Sequence, residues 1–140
     1  MSYRRILVRA TNWLGDAILS LPALHAVREA SPQAHITILG QAWIRDLYAG
    51  ESFCDEVAIY PSARGFKDVA GKLKVVQQLQ EGQYDAVLLL QNAFEAALIA
   101  RLARIPVRVG YARDGRGWLL TKAVAVPKRG EIEAHERFYY

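Results

Sequence analysis

Short apolar runs alternate along the chain with longer stretches in which apolar residues recur every three or four positions. The first pattern is typical of strands and the second of helices that cover a core with one face. Strands are predicted over residues 5–9, 35–39, 56–60, 86–90, 107–111 and 123–126. Helices are predicted over residues 16–30, 42–49, 67–81 and 94–103, with a further amphipathic helix over 131–140.

The alternation of strand and helix predicts an α/β fold in a single domain covering residues 1–140. Residues 6–8 and 87–90 are apolar at every position, as in parallel strands that are buried on both faces. We therefore expect an open, doubly wound, mostly parallel sheet of the Rossmann-like type. Pro22 lies within the apolar stripe of the first helix and predicts a kink or restart, because proline lacks the N–H of a helical hydrogen bond.

Composition narrows the class of protein. With 52% apolar and 23% charged residues, the chain has the composition of a folded domain and not of a disordered one. No apolar run approaches the roughly 18–20 residues of a membrane span, and the start of the chain lacks the features of a signal peptide. Cys54 is the single cysteine, and no Cys/His cluster has metal-ligand spacing. A cytoplasmic protein without a metal site is expected.

Positive charge is concentrated in the last forty residues. Residues 101–140 carry 9 Lys/Arg and 4 Asp/Glu, whereas residues 1–100 carry 9 and 10. This excess suits an anionic ligand or a membrane surface, or it is ordinary solvated surface. No nucleic-acid partner is expected, because no nucleic-acid-binding motif accompanies the charge.

Ligands of open parallel sheets bind beyond the carboxyl ends of the strands. Three polar segments follow predicted strands there, at residues 11–16, 91–94 and 110–117. The first segment has a single glycine where a dinucleotide site has three, and the Walker pattern is absent, so neither type of nucleotide cofactor site is expected.

Each candidate residue in these segments has a structural and a functional interpretation. Asp16 is either an acidic residue favoured by the dipole of its helix or a general base, a role that typically contributes about 10²–10⁴-fold in rate. Arg113 and Arg116 either flank a solvated turn or bind a carboxylate or phosphate with forked hydrogen bonds. Asn92 suits a helix N-cap and also a contact to a sugar hydroxyl, and Trp13 suits a core cover or a stacking platform.

The same segments resemble a known family. Residues 6–9, 12–16 and 20–24 are similar to the opening of the bacterial lipopolysaccharide heptosyltransferases, in particular the heptosyltransferase II group. Residues 90–98 and 105–121 extend the resemblance over essentially the whole chain. The resemblance implies a two-domain GT-B enzyme that transfers heptose from ADP-L-glycero-D-manno-heptose to a heptosyl-Kdo2-lipid A type acceptor. The reaction would invert the anomeric centre and would need no metal and no cofactor.

Within that family the chain would be the N-terminal, acceptor-binding half, with the donor-binding C-terminal domain absent, and it would be inactive alone. The resemblance makes Asp16 the base. Acceptor contacts are expected from Asn12, Trp13, Gly15, Asn92, Arg113 and Arg116. Gln91 stands where the family often has proline, and Thr11 stands where many relatives have proline or serine, but neither change removes a catalytic group. Peripheral contact with the inner membrane and self-association are also expected.

Two other classes of protein remain as alternatives. A non-catalytic α/β module that binds an anionic glycolipid or a protein would suit the short length. A flavodoxin- or receiver-like domain is disfavoured, since Arg9 and Pro61 hold places where a receiver needs acidic residues.

Overall fold

A computed structural model describes residues 3–60, 68–91, 93–113 and 115–126, and these form one six-stranded sheet. The strands are β1 (Arg5–Arg9), β2 (His35–Gly40), β3 (Glu56–Ile59), β4 (Ala86–Leu89), β5 (Val107–Tyr111) and β6 (Lys122–Val124). Their order is β3-β2-β1-β4-β5-β6, and every neighbouring pair is parallel. This is the strand order of the Rossmann fold, so the predicted α/β architecture is confirmed.

The helices cover both faces of the sheet. They are α1 (Leu14–Leu19), α2 (Leu21–Ala30), α3 (Ile44–Leu47), α4 (Val69–Gly82) and α5 (Phe94–Leu102), with a short 3₁₀ helix at Gly117–Leu119. The predicted helix over 16–30 is thus two helices, and the restart expected near Pro22 is confirmed. Ser20 separates them, and its hydroxyl donates a hydrogen bond to the carbonyl of Ala17 at 2.8 Å. Pro22 lies in the first turn of α2, where a missing N–H leaves no helical bond unmade.

Other element boundaries differ from the prediction by small amounts. The α3 helix is only one turn long, compared with the predicted 42–49. The α4 helix begins after Asp68, whose carboxylate accepts a hydrogen bond from the main-chain N–H of Gly71 at 2.8 Å. It ends at Gly82, and its C-cap residue, Gln83, has a left-handed φ of 50°. The predicted helix over 131–140 and the loop at 61–65 lie outside the described residues.

Two apolar cores sandwich the central strands. In β1, Ile6 and Val8 belong to the core beneath α1, α2 and α3, whereas Leu7 belongs to the core beneath α4 and α5. All three side chains are at most 5% exposed. Burial on both faces explains why the strand is apolar at every position.

Two aspartates accept hydrogen bonds from main-chain N–H groups at the amino ends of the strands. The carboxylate of Asp85 accepts hydrogen bonds from the main-chain N–H groups of Arg4 and Arg5, at 2.7 and 2.9 Å. Asp55 accepts from the N–H of Ile36 at 2.8 Å and pairs with Arg28 at 2.6 Å. The main-chain hydrogen bonds are the largest cause that lowers the pKa of each carboxyl, because they stabilise its charged form.

At the carboxyl ends of the strands, Arg116 joins two loops. Its side chain has no exposed surface. The guanidinium donates to the carbonyls of Tyr111 at 2.9 Å, Gln91 at 2.7 Å and Ala93 at 3.2 Å. Gly110 makes room for it, since a Cβ at that position would lie 3.0 Å from the Nη2 atom of Arg116. The arginine thereby fixes the loop after β4 against the loop after β5.

We expect Arg116→Met to lower the free energy of unfolding by about 2–4 kcal/mol, because it leaves buried carbonyls without donors. Chemical denaturation of the chain measures this change. Arg113→Met is the matched control: Arg113 is an exposed arginine three residues away, and its loss should cost about 0.5 kcal/mol or less. Equal effects of the two substitutions would contradict the bridging role of Arg116.

The aspartates at the start of the sheet predict a pH dependence. A carboxyl whose pKa is lowered on folding stabilises the fold above its unfolded pKa, and this contribution disappears as the pH falls through the folded pKa. We therefore expect the free energy of unfolding to fall as the pH drops from about 5 to below 3.8, the ordinary value for aspartate.

Asp85→Asn should make this fall smaller, as measured by urea denaturation at a series of pH values. Asp46→Asn, which changes an exposed carboxylate that no described residue contacts by a hydrogen bond, should leave the pH profile unchanged. An unaltered profile in Asp85→Asn would show that the hydrogen bonds to Arg4 and Arg5 do not depend on the charge.

Candidate active site

The carboxyl ends of the strands surround a cavity of about 190 Å³ at the point where the strand order reverses between β1 and β4. We refer to it as the crevice cavity. Its lining comes from the ends of four strands and from α5: Arg9, Asn12, Trp13, Gln41, Tyr60, Gln91, Ala93, Glu95, Ala96 and Ile99. In open parallel sheets this is where ligands bind, so two of the three segments singled out in the sequence do meet at the expected place.

Asp16 lies in the first turn of α1, three residues after Trp13, which is the N-cap residue of that helix. Its side chain is half-buried, and among the described residues it has neither a cationic partner nor a hydrogen-bond donor. Asp16 does not line the crevice cavity itself, although Asn12 and Trp13 do. The carboxylate therefore lies outside the packed interior, on the segment from which Asn12 and Trp13 line the cavity, and it is accessible, as a proton acceptor has to be.

The neighbours of Asp16 leave space around it. Trp13 is 59% exposed, so it is not a core cover. Gly15 is exposed, and a Cβ built on it would have no atom within 4 Å. Asn12 is half-buried, and its Oδ1 atom accepts a hydrogen bond from Arg9 at 3.2 Å.

The two arginines predicted to bind anions differ in position. Arg113 is exposed and remains a candidate contact. Arg116 is fully buried and donates to three main-chain carbonyls, so the structure argues against a direct contact with a ligand and assigns it to positioning the loops. Asn92 lies outside the described residues, and the N-cap residue of α5 is Ala93.

Sequence reasoning did not identify Arg9 as part of the site. Its side chain is only 7% exposed, and it lines the crevice cavity. The guanidinium carbon lies 4.5 Å from the centre of the Tyr60 ring, a cation–π distance. Burial lowers the pKa of Arg9, while the nearby Tyr60 and Glu95 oppose that shift. The alternation of side chains along a strand could have indicated this position, because it places Arg9 on the same face as Leu7, beneath α4 and α5.

A second buried charge lies across the same cavity. The carboxylate of Glu95 accepts a hydrogen bond from the Tyr60 hydroxyl at 2.7 Å and forms an ion pair with the Lys72 ammonium at 3.1 Å. Lys72 is 7% exposed. This arrangement joins α4, α5 and the end of β3, and the negative charge of Glu95 is balanced within the protein.

Two features are absent from the described residues, a metal site and a membrane-spanning helix. Among them, no group of three or more His, Cys, Asp or Glu side chains is placed to hold a metal ion. None of the described helices has the length and apolar character to cross a membrane.

The sequence and its fold were compared with known proteins. The sequence model described as glycosyltransferase family 9 (heptosyltransferase) matches residues 72–139. The chain is 31% identical over 124 residues to lipopolysaccharide heptosyltransferase 2 of Salmonella typhimurium, covering 89% of this chain and 36% of that protein. It is 30% identical over 134 residues to the protein of that name from Escherichia coli, covering 96% and 38%. The chain thus spans little more than a third of the length of these curated relatives.

Solved structures agree with the sequence comparison. The E. coli ADP-heptose lps heptosyltransferase II superposes with a TM-score of 0.77 at 28% identity, over 89% of this chain and 35% of that chain. A glycosyl transferase family 9 structure from Veillonella parvula superposes with a TM-score of 0.80 at 23% identity, over 97% and 38%, and shows the shared fold. The resemblance found in the sequence is therefore confirmed: the chain is similar over most of its length to heptosyltransferases, and its second half matches the model of glycosyltransferase family 9.

Proposed function

We propose that this chain forms the acceptor-binding half of a GT-B enzyme that transfers heptose from ADP-L-glycero-D-manno-heptose to the inner core of lipopolysaccharide. The match to the family model and the relatives named as heptosyltransferases support this function. They favour an enzyme over a non-catalytic binding module. A second α/β domain outside this chain would hold the donor, and neither a metal nor another cofactor is required.

The observation that carries the proposal is the position of Asp16. Its carboxylate is half-buried, three residues after Trp13, which lines the crevice cavity, and no described cation neutralises it. A general base must be accessible to the hydroxyl that it deprotonates. A carboxylate held in an ion pair, or packed inside the core, would not meet this requirement.

In the proposed reaction Asp16 accepts the proton of an acceptor hydroxyl as that oxygen attacks the anomeric carbon of the donor. The new bond forms on the face opposite the diphosphate, and the bond from the anomeric carbon to the phosphate oxygen breaks. ADP leaves with the electron pair of that bond, and attack from the opposite face inverts the anomeric configuration. The transition state resembles an oxocarbenium ion, as in other glycosyl chemistry. Closure of the two domains would exclude water, which could otherwise hydrolyse the donor.

Residues around Asp16 would hold the acceptor. The exposed Trp13 offers a ring for stacking on a sugar, and the open space at Gly15 allows a close approach to the main chain. Asn12 and Asn92 would orient hydroxyl groups. Arg113 is exposed and would contact an anionic group of the core, whereas Arg116 would act only by fixing the loops.

The proposal includes a location at the cytoplasmic face of the inner membrane, where the acceptor is built. Large apolar side chains are exposed near the site, with Leu14 at 56%, Ile18 at 47% and Trp118 at 74%. Such a surface suits contact with a second domain, with a membrane or with another copy of the chain.

We expect Asp16→Asn, made in the full-length enzyme, to lower kcat by about 10²–10⁴-fold, because the amide does not accept the proton. Transfer of heptose to an inner-core acceptor is measured by mass spectrometry, and the thermal midpoint reports folding. Asp46→Asn replaces an exposed aspartate in the first turn of α3 and should leave turnover unchanged. Turnover of Asp16→Asn within a few-fold of the native value would remove Asp16 from the role of base.

The proposed division into two domains predicts that this chain binds the acceptor and not the donor. This chain should bind an inner-core oligosaccharide in isothermal titration and should show no saturable binding of ADP-heptose, because the donor contacts lie on another domain. Tight binding of ADP-heptose would contradict the assignment. Binding of the oligosaccharide together with a full-length protein that transfers no heptose would favour the non-catalytic binding module.

A further inference from the structure

We propose that Arg9 anchors an anion site in the crevice cavity, which takes a carboxylate or phosphate group of a sugar ligand. The inference rests on the proposed function only for the identity of that sugar as the glycosyl acceptor. The site itself follows from the burial, hydrogen bonds and charge balance of Arg9.

The hydrogen bonds of Arg9 are incomplete. A guanidinium has five N–H donors. The Nη1 group donates to the carbonyls of Ala10 at 2.8 Å and Leu39 at 3.4 Å, and Nη2 donates to Asn12 Oδ1 at 3.2 Å. Among the described residues, no acceptor contacts the Nε donor or the second Nη2 donor. A guanidinium binds carboxylate and phosphate oxygens through pairs of such donors.

The charge of Arg9 is also unbalanced. No described carboxylate lies within ion-pair distance of it. Glu95 lines the same cavity, but its charge is matched by Lys72 at 3.1 Å and it accepts a hydrogen bond from Tyr60. Among the described residues, the charges of Arg9, Glu95 and Lys72 add up to one net positive charge. A buried unpaired cation is costly, and a bound anion would compensate it.

The surroundings hold Arg9 in place and leave room for a ligand. The Tyr60 ring lies against the guanidinium at 4.5 Å, and the Asn12 amide contacts its end. The cavity of about 190 Å³ exceeds the roughly 30 Å³ that one water molecule occupies in the liquid several-fold, which is room for an acidic group and the carbons that carry it. The side-chain amides of Gln41 and Gln91 also line the cavity and would bind neighbouring hydroxyls.

The test uses simple ions on this chain. Sodium acetate and inorganic phosphate are titrated separately, with neutral acetamide as the uncharged match for acetate. Binding is followed by NMR through the indole N–H of Trp13, which lines the cavity. At least one anion should give a saturable shift and acetamide should give none. Saturation by acetate points to a sugar acid, and saturation by phosphate alone points to a phosphorylated sugar.

Substitutions assign the site to Arg9. Arg9→Gln should weaken anion binding by about tenfold or more, since a charged hydrogen-bond partner is lost. Arg101→Gln removes an exposed arginine in the last turn of α5 and should leave this binding unchanged. Should Arg9→Gln not fold, Arg9→Lys keeps the charge without the fork, and binding should weaken while remaining selective for the anion.

Three results would overturn the inference: no saturable shift with either anion or an equal shift with acetamide, full anion binding in Arg9→Gln, or loss of binding in Arg101→Gln. These results are separate from the test of the proposed function. Acetate and phosphate carry no transferable sugar, so binding at Arg9 stands even if the full-length protein transfers no heptose. Conversely, heptose transfer that depends on Asp16 stands if no anion binds at Arg9.

Discussion

The pairing of β1 with β4 is the constraint on which the site depends. Ile6 pairs with Ala86 and Arg9 with Leu89, so the two central strands end level with one another. Because β1 and β4 continue into helices on opposite faces of the sheet, their loops separate and open the crevice cavity between them. The other strands extend the sheet outward from this pair, with β2 and β3 on one side and β5 and β6 on the other.

Two buried arginines at this edge of the sheet illustrate two different uses of a guanidinium. Arg116 is surrounded by carbonyls, and its three hydrogen bonds convert a buried charge into a fixed link between two loops. Arg9 has three hydrogen bonds as well, but donors remain, and no carboxylate in the described part of the chain lies within ion-pair distance of it. Removing water from a charge is costly, so the first arrangement is complete without a ligand, whereas the second gains from one.

The fold was predictable from the sequence because the pattern that determines it is local. Five of the six strands were placed to within one residue, and the two fully apolar runs correctly marked the central strands. Helix ends were less predictable. The α3 helix is a single turn, and nothing in residues 42–49 marks where it ends. Its preferred length depends on packing against the sheet, which local propensity does not contain.

The roles of individual side chains were less predictable, since they depend on residues far apart in the chain. The turn around Arg116 gives no sign that the side chain points inward, because its space comes from Gly110 and two of its acceptors come from residues 91 and 93. Arg9 was predictable in direction from the alternation of β1, but its unmatched charge depends on the pair formed by Glu95 and Lys72. The partners of both arginines are distant in the sequence, so local patterns do not predict these contacts.

In the proposed reaction, the positions of Arg9 and Asp16 would link the binding of the acceptor to the choice of the hydroxyl that reacts. Arg9 belongs to the face beneath α4 and α5, whereas Ala17, next to Asp16, packs in the core on the other face. Asn12 and Trp13 connect the two within seven residues of continuous chain. An acceptor anchored by an acidic group at Arg9 would therefore present a particular hydroxyl to Asp16, at a distance fixed by this short segment. Fixing two reacting groups in this way lowers the entropic cost of the reaction, so the anion site would contribute to the choice of hydroxyl and not to affinity alone.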